Sequence, residues 1–165
     1  RGGQRGPENV WGSAATGAVL ALLIGAGVEP RSLLLIGFAA SFSAKLADTF
    51  GSEIGKRWGR TTVLITTLKP VAPGTEGAIS LEGTFASGVG SVLMTVVMGV
   101  LGFLPNWPCW ILVASVGLKA TLAESVLGAV AQDRFSWLSN ELVNALQTLL
   151  AAALAMLLAA VLHLA

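Results

Sequence analysis

The sequence predicts an all-α protein, a polytopic transmembrane helix bundle with about five spans in a single membrane domain covering residues 1–165. Three observations carry this reading. Of the residues, 54% are hydrophobic and only 12% are charged, against roughly a quarter charged in an ordinary soluble domain, and the mean hydropathy is +0.76. The apolar residues fall into windows of about 20, the length that crosses a bilayer as a helix. The basic residues sort to one side of those windows, as the positive-inside rule requires.

The first expected helix, 10–28, reads "VWGSAATGAVLALLIGAGV". The short connection "EPR" at 29–31 stops it, and the second helix follows at 32–54. Residues 55–83 form the one long connection, rich in Gly and Thr. Helix three, 84–104, carries Ser87 and Ser91 four apart, a spacing of small residues that lets helices approach closely. "PNWPC" at 105–109 separates it from helix four, 110–131, and helix five covers 142–164.

If the N-terminal side is called side A, it holds Arg1, Arg5, Lys56, Arg57, Arg60, Lys69 and Arg134, whereas side B holds only Arg31. Seven against one supports both the number of spans and side A as cytoplasmic or stromal. A weak internal echo links 38–55 with 112–129, through Ala47-Asp48-Thr49 and Ala123-Glu124-Ser125. Both segments run from side B to side A, so the echo is parallel.

Composition also excludes several functions. A net charge of +1 gives no field for nucleic acid, and one cysteine, Cys109, leaves no internal disulfide or cysteine metal cluster. The only histidine, His163, lies at the side-B end, so Ser-His-Asp catalysis is out. The chain begins at Arg1 rather than Met, which is expected of a processed form or a fragment.

The unusual polar residues converge on side A. Helix two brings Lys45, Asp48, Thr49, Ser52 and Glu53; helix four brings Lys119 near mid-membrane, then Glu124 and Ser125. The segment "KPVAPGTEGAISLEGT" enters helix three from side A, and Asn140 and Asn144 begin helix five there. Taken singly, each has a bland explanation: Lys45 and Asp48 neutralise each other, Glu53 is interfacial, and Asn144 packs helices. Together they point to a site, because an ionisable group in a span costs about 2.5–3.5 kcal/mol on insertion scales and is retained mainly for function. Carboxylates with few other ligands suit Mg²⁺, which shares its shell with water and phosphate. Gly74, Gly77 and Gly83 allow close backbone approach to an anion, and their segment ends at a helix N-terminus, a natural phosphate seat. No Walker A motif is present.

At these residues the chain resembles a known family. "SFSAKLADTFGSEIGK", "PGTEGAISLEGTFAS", "AESVLGAVAQD" and the "VN" at 143–144 are similar to the integral membrane family that contains the plant and cyanobacterial phytyl-phosphate kinases of vitamin E synthesis, together with bacterial, archaeal and animal members of unclear function. The resemblance runs from about Gly2 to Asn144, and "GTEGAISLEGT" resembles the phytyl-phosphate kinase branch more than the wider family. It implies transfer of a phosphoryl group from CTP, or another nucleoside triphosphate, to phytyl phosphate, giving phytyl diphosphate for tocopherol. It also implies a chloroplast or cyanobacterial membrane. Three departures stand out: the family's N-terminal helices are missing from this sequence, Glu124 stands where Asp is expected, and Ala72-Pro73 replaces a Pro-Arg.

The residues and the resemblance together give a candidate set. Lys45, Asp48, Glu53 and Glu124 are expected to be catalytic, with Asp48, Glu53 and Glu124 as Mg²⁺ ligands. Thr49, Ser52, Lys56, Lys69, Gly74, Thr75, Glu76, Gly77, Ser80, Lys119, Ser125 and Asn144 are expected to bind nucleotide or prenyl phosphate. A shared centre requires helices two and four side by side, with helix three packed elsewhere. The competing readings are a membrane transporter of an ion or prenyl phosphate, whose site would lie nearer the midplane, and a non-catalytic assembly subunit.

Overall fold

The structure is a computed structural model, which describes residues 7–132, 135 and 137–165. Arg1, Arg5 and Arg134, three of the seven side-A cations, lie outside the described residues. The described residues form five α-helices: α1 (Pro7–Gly25), α2 (Arg31–Trp58), α3 (Leu81–Val100), α4 (Trp107–Leu127) and α5 (Asn140–Val161). A single π turn, Gly128–Gln132, extends α4. Among the described residues four helices, α2 to α5, are long and apolar enough to cross a membrane, while the described apolar part of α1, Val10–Gly25, is shorter. The bundle is therefore helical and multi-pass as expected, with four candidate spans and a shorter apolar helix among the described residues.

The helix starts differ from the sequence reading by a few residues because polar caps, not apolar windows, set them. Ser80 accepts a hydrogen bond from the Gly83 N–H and opens α3 three residues early. Asn106 accepts from Cys109 N–H at α4, followed by Pro108 in the first turn. Ser139 accepts from Leu142 N–H at α5. Each is a side chain satisfying one of the orphan donors of a helix start.

The segment expected as one long loop, 55–83, is largely ordered. Its first residues belong to the last turn of α2, which runs to Trp58. Beyond them lies a small antiparallel hairpin, β1 (Thr62–Leu64) and β2 (Ala78–Ser80), in register Thr62↔Ser80, Val63↔Ile79 and Leu64↔Ala78. The β-branched run of Thr62 and Val63 favours this extended pairing. Masked by Gly and Thr content, it was not visible as a strand.

Helix α2 is the hub and packs against every other helix. Its inward residues are small: Ala39, Ala40, Ser43, Ala44 and Ala47 are buried. Small residues let helix backbones approach closely where no hydrophobic effect separates helix from lipid. The seam with α3 is the tightest. A Cβ at Gly83 would lie 2.8 Å from the Gly51 carbonyl oxygen, and one at Gly90 2.8 Å from that of Leu46. Hydroxyls then cross-link the helices at depth: Ser43 Oγ donates to Ser91, Oγ to Oγ 2.8 Å, and Ser91 Oγ donates to the Ala114 carbonyl at 2.7 Å, joining α2, α3 and α4. Gln147 joins α5 to the same set, its Nε2 donating to the Ala44 carbonyl (3.2 Å) and Thr121 Oγ1 (3.0 Å). The outer faces carry exposed Leu22, Val97, Leu149 and Leu157, suited to lipid. Helix three is not displaced by the contact of α2 with α4, as the sequence reading required; it packs on both.

Candidate active site

Helices α2 and α4 lie side by side. Thr121 Oγ1 donates to the Ala44 carbonyl at 3.2 Å, and Gly117 presses on Ser43, where a Cβ would lie 2.5 Å from the Ser43 Oγ. One turn toward side A this register brings the two acids of the internal echo to one place: Asp48 and Glu124 line the same cleft, close enough for their charges to interact. Two carboxylates that share a cleft repel each other unless a cation or a lysine lies between them. Lys45, one turn back on α2, is the nearest counter-charge. Its Nζ donates to Asp48 Oδ2 at 2.7 Å and to Asn144 Oδ1 of α5 at 2.7 Å. Three helices thus meet at one charged knot.

The knot lies where two cavities join, one of about 160 Å³ and one of about 540 Å³. Asp48, Ser52, Lys56, Glu76, Glu124 and Asn140 line both, so they form one cleft. Its smaller part lies under the hairpin and its turn, where Gly74, Thr75, Glu76, Gly77 and Ser80 face Ser125. Its larger part opens past Thr49, Glu53 and Asn144 toward Val10 and Ser13 of α1. Ser80, Gly83 and Thr84 also line the smaller part, so the positive end of α3 faces it.

The turn is shaped by backbone rather than side chains. Thr75 closes it, with Oγ1 donating to the Ala72 carbonyl at 2.8 Å. Gly74 (φ +89°) and Gly77 (φ +73°) adopt the left-handed region that favours glycine. Their surroundings differ. A Cβ at Gly74 would meet only the Lys56 side chain, at 3.9 Å, so its backbone is open to the cleft. A Cβ at Gly77 would lie 2.6 Å from the backbone nitrogen of Ala129 and from the carbonyl oxygen of Ser125. Gly77 is therefore the point where the hairpin seats on the end of α4, and the expectation that it opens the backbone to an anion is corrected to a packing role.

Other expected site residues separate into groups. Thr49 and Ser52 line the cleft while spending their hydroxyl protons on the carbonyls of Lys45 (2.9 Å) and Thr49 (3.2 Å). Ser125 does likewise toward Thr121, at 3.3 Å. Ser80 lines the cleft, but its oxygen serves as the α3 cap. Lys56 and Glu53 line it from exposed positions. Two expected residues are not brought in. Lys69 is exposed on the hairpin turn, and Lys119 is exposed on α4; neither lines the cleft. The cause for Lys119 is helical period: it is five residues before Glu124, about 500° around the axis, and so faces away from it.

Among the described residues no three His, Cys, Asp or Glu side chains are close enough together to hold an ion by themselves. The donor set is instead the carboxylates of Asp48 and Glu124, which line the same cleft, with Glu76 close enough to act on Glu124 electrostatically. That fits Mg²⁺, which commonly takes one or two protein carboxylates and fills its shell with water and phosphate oxygens.

A family model described as "Integral membrane protein DUF92" matches residues 1–152. The chain belongs to that family. This is the family to which the motifs at 48–55 and 74–84 pointed. Among curated relatives, the DUF92 chain is 51% identical over 156 residues to "Uncharacterized membrane protein sll0875" of Synechocystis, covering 94% of this chain and 60% of the relative. It is 42% identical over 165 residues to "Protein VTE6, chloroplastic" of Arabidopsis thaliana, covering 95% and 48%. It is 37% identical over 117 residues to "Uncharacterized membrane protein MJ0933" of Methanocaldococcus jannaschii, covering 70% and 47%. The chain thus spans about half the length of the curated relatives it matches. No solved structure matches.

Sequence reasoning about this DUF92 chain missed three contributors. Thr62 and Thr84 line the cleft from β1 and α3, and the Thr62 hydroxyl is buried without a protein partner. Gln147 braces α2 and α4 behind the acids. A glutamine in the middle of "VNALQTLLAAA" was a legible signal, since a polar side chain in a span needs a partner across helices.

Proposed function

We propose that this protein carries the phosphoryl-transfer site of a membrane-embedded prenyl-phosphate kinase. The reaction takes the γ-phosphoryl group of a nucleoside triphosphate, CTP by family resemblance, to phytyl phosphate or a related prenyl phosphate. The observation that carries the reading is the meeting of Asp48, Glu124 and Lys45 beneath a glycine turn and a helix N-terminus. That combination is what two phosphates and a divalent cation need.

Mg²⁺, when bound, would offset the charge of the donor's phosphates. Asp48 and Glu124 are the residues to hold it. The open backbone at Gly74 and the positive end of α3 would seat the donor's phosphates. Lys45 and Lys56 would neutralise the acceptor. The acceptor is already an anion near neutral pH, because the second pKa of a phosphate monoester is about 6. An oxygen of that phosphate forms the new bond to the γ-phosphorus while the bond from γ-phosphorus to the β-bridging oxygen breaks, and the electron pair leaves with the nucleoside diphosphate. No strong general base is needed, and catalysis is positioning plus charge neutralisation. Asp48 and Glu124 lie in the side-A halves of α2 and α4, which favours a lipid-water interface over the midplane site of a transporter.

The test is transfer of radiolabel from γ-labelled CTP to phytyl phosphate by the purified protein in nanodiscs with Mg²⁺. Label in a lipid-soluble diphosphate is the expected result. Absence of transfer from any nucleoside triphosphate, with uptake of prenyl phosphate into liposomes instead, would favour the transporter.

A further inference from the structure

The lipid-facing side of α3 carries a third cavity, an apolar groove of about 740 Å³. Leu81, Thr84, Phe85, Gly88, Val92 and Val96 line it, with Leu118 of α4 as the far wall. Thr84 lines both this groove and the active-site cleft, and Leu122, one turn along α4 from Leu118, lines the cleft. The groove is therefore the apolar continuation of the polar site, leaving it between α3 and α4.

We infer that this groove holds the hydrocarbon tail of the prenyl phosphate whose head reaches Asp48 and Glu124, an inference that rests on the function proposed above. Its dimensions fit. From Thr84, where the cleft ends, to Val96 is 12 residues, or about 18 Å at 1.5 Å per residue. A zig-zag carbon chain with bonds of about 1.5 Å advances roughly 1.25 Å per bond. The groove therefore lies along some 14 main-chain carbons, about three to four isoprene units. Its floor is open at Gly88, where an added Cβ would meet nothing within 4 Å. That notch suits the methyl branches of an isoprenoid better than a flush helix face would. Direction fits as well, since α3 runs from the side-A interface into the bilayer and leaves the tail in an apolar setting throughout.

Gly88→Phe fills the groove without touching the core, because the new side chain enters open space and replaces the poorest helix former but proline. With a series of prenyl phosphates of two to five isoprene units, the ratio of long-chain to short-chain kcat/KM is expected to fall roughly tenfold. That factor corresponds to about two methylene groups' worth of lost burial. The nucleotide KM should move much less than this ratio. An unchanged ratio overturns the inference. The second measurement needs no turnover. A prenyl phosphate with a diazirine at the tail end is photolysed on the wild-type protein in nanodiscs, and the labelled residues are mapped. Labelling of Val92 or Val96 that excess unlabelled prenyl phosphate suppresses supports the groove. Suppressible labelling on α1 or α5 overturns it, as does labelling of α3 that prenyl phosphate does not suppress, the pattern of bulk lipid or of a packed second helix. Failure of the kinase reading appears separately, as a wild-type protein that binds the probe but transfers no phosphate.

Discussion

Substitution of Gly77 separates a packing role from a ligand role in the hairpin turn. In Gly77→Val two penalties combine. A left-handed backbone costs an ordinary residue about 1–2 kcal/mol, more for a β-branched one, and Gly77 has φ +73°. Its Cβ would also fall 2.6 Å from the Ser125 carbonyl oxygen and the Ala129 nitrogen, so hairpin and α4 must part; overpacking of this kind costs about 1–3 kcal/mol. The sum, about 2–5 kcal/mol, exceeds what the three-pair β1–β2 ladder can absorb, so the hairpin should unseat while the helices stay packed. Gly74→Ala is the comparison. It shares the backbone penalty, with φ +89°, but meets only Lys56, at 3.9 Å. Hydrogen exchange of residues 60–80 and nucleotide KM, measured on both variants, check the reasoning. Gly77→Val should lose protection across the hairpin and raise KM together. Gly74→Ala should raise KM with protection mostly kept. Wild-type protection in Gly77→Val would refute the seating argument, and equal loss in both variants would reduce the difference between the two glycines to backbone strain alone.

The remaining predictions concern the charged knot and its brace. Asp48→Asn should abolish phosphoryl transfer while the protein remains inserted; wild-type turnover at saturating Mg²⁺ would remove Asp48 from the metal. Glu124→Gln should raise the Mg²⁺ needed for half-maximal activity, and the double variant with Asp48→Asn should be little worse than the worse single one, because groups acting as a unit are non-additive; strictly additive losses would separate the two acids. Lys119→Leu should leave both substrate KM values near wild type, since Lys119 is exposed on α4 outside the cleft. Gln147→Leu removes two hydrogen bonds, each worth about 0.6 kcal/mol in a membrane protein, but also removes a buried Oε1 that has no protein partner; the net change in thermal stability should stay within about 1 kcal/mol.

Much of this was legible beforehand, and the failures have physical causes. Hydropathy finds what is apolar over 20 residues, so it located α2 to α5 within a few positions. It found α1 as well, whose helix ends at Gly25, three residues before the expected end at 28. Helix ends are decided by single side chains such as Ser80 and Asn106, which an apolar window averages away. That Asp48 and Glu124 line one cleft follows from the same short echo, which puts both at the side-A ends of helices running the same way. Lys119 was misplaced because a count of charges by depth ignores the angle around the helix. Gly77 was misread because a glycine that opens a path to a ligand and one that admits a neighbouring backbone look identical in sequence, and only the position of Ala129 decides between them.

The glycine seam between α2 and α3 governs how the site responds to its membrane. Bilayers differ in thickness by several Å, and a bundle meets the mismatch by tilting, by sliding its helices, or by thinning the lipid around it. Sliding is closed here. Gly83 on Gly51 and Gly90 on Leu46 leave no clearance for one backbone to move along the other, and Ser43, Ser91 and Ala114 tie α4 to the same pair. A thinner bilayer must therefore tip the helices as one body, with the spacing of Asp48, Glu124 and Lys45 carried along unchanged. Turnover should then depend on how easily substrate arrives from lipids of different chain length, and the chemistry itself should be indifferent to them.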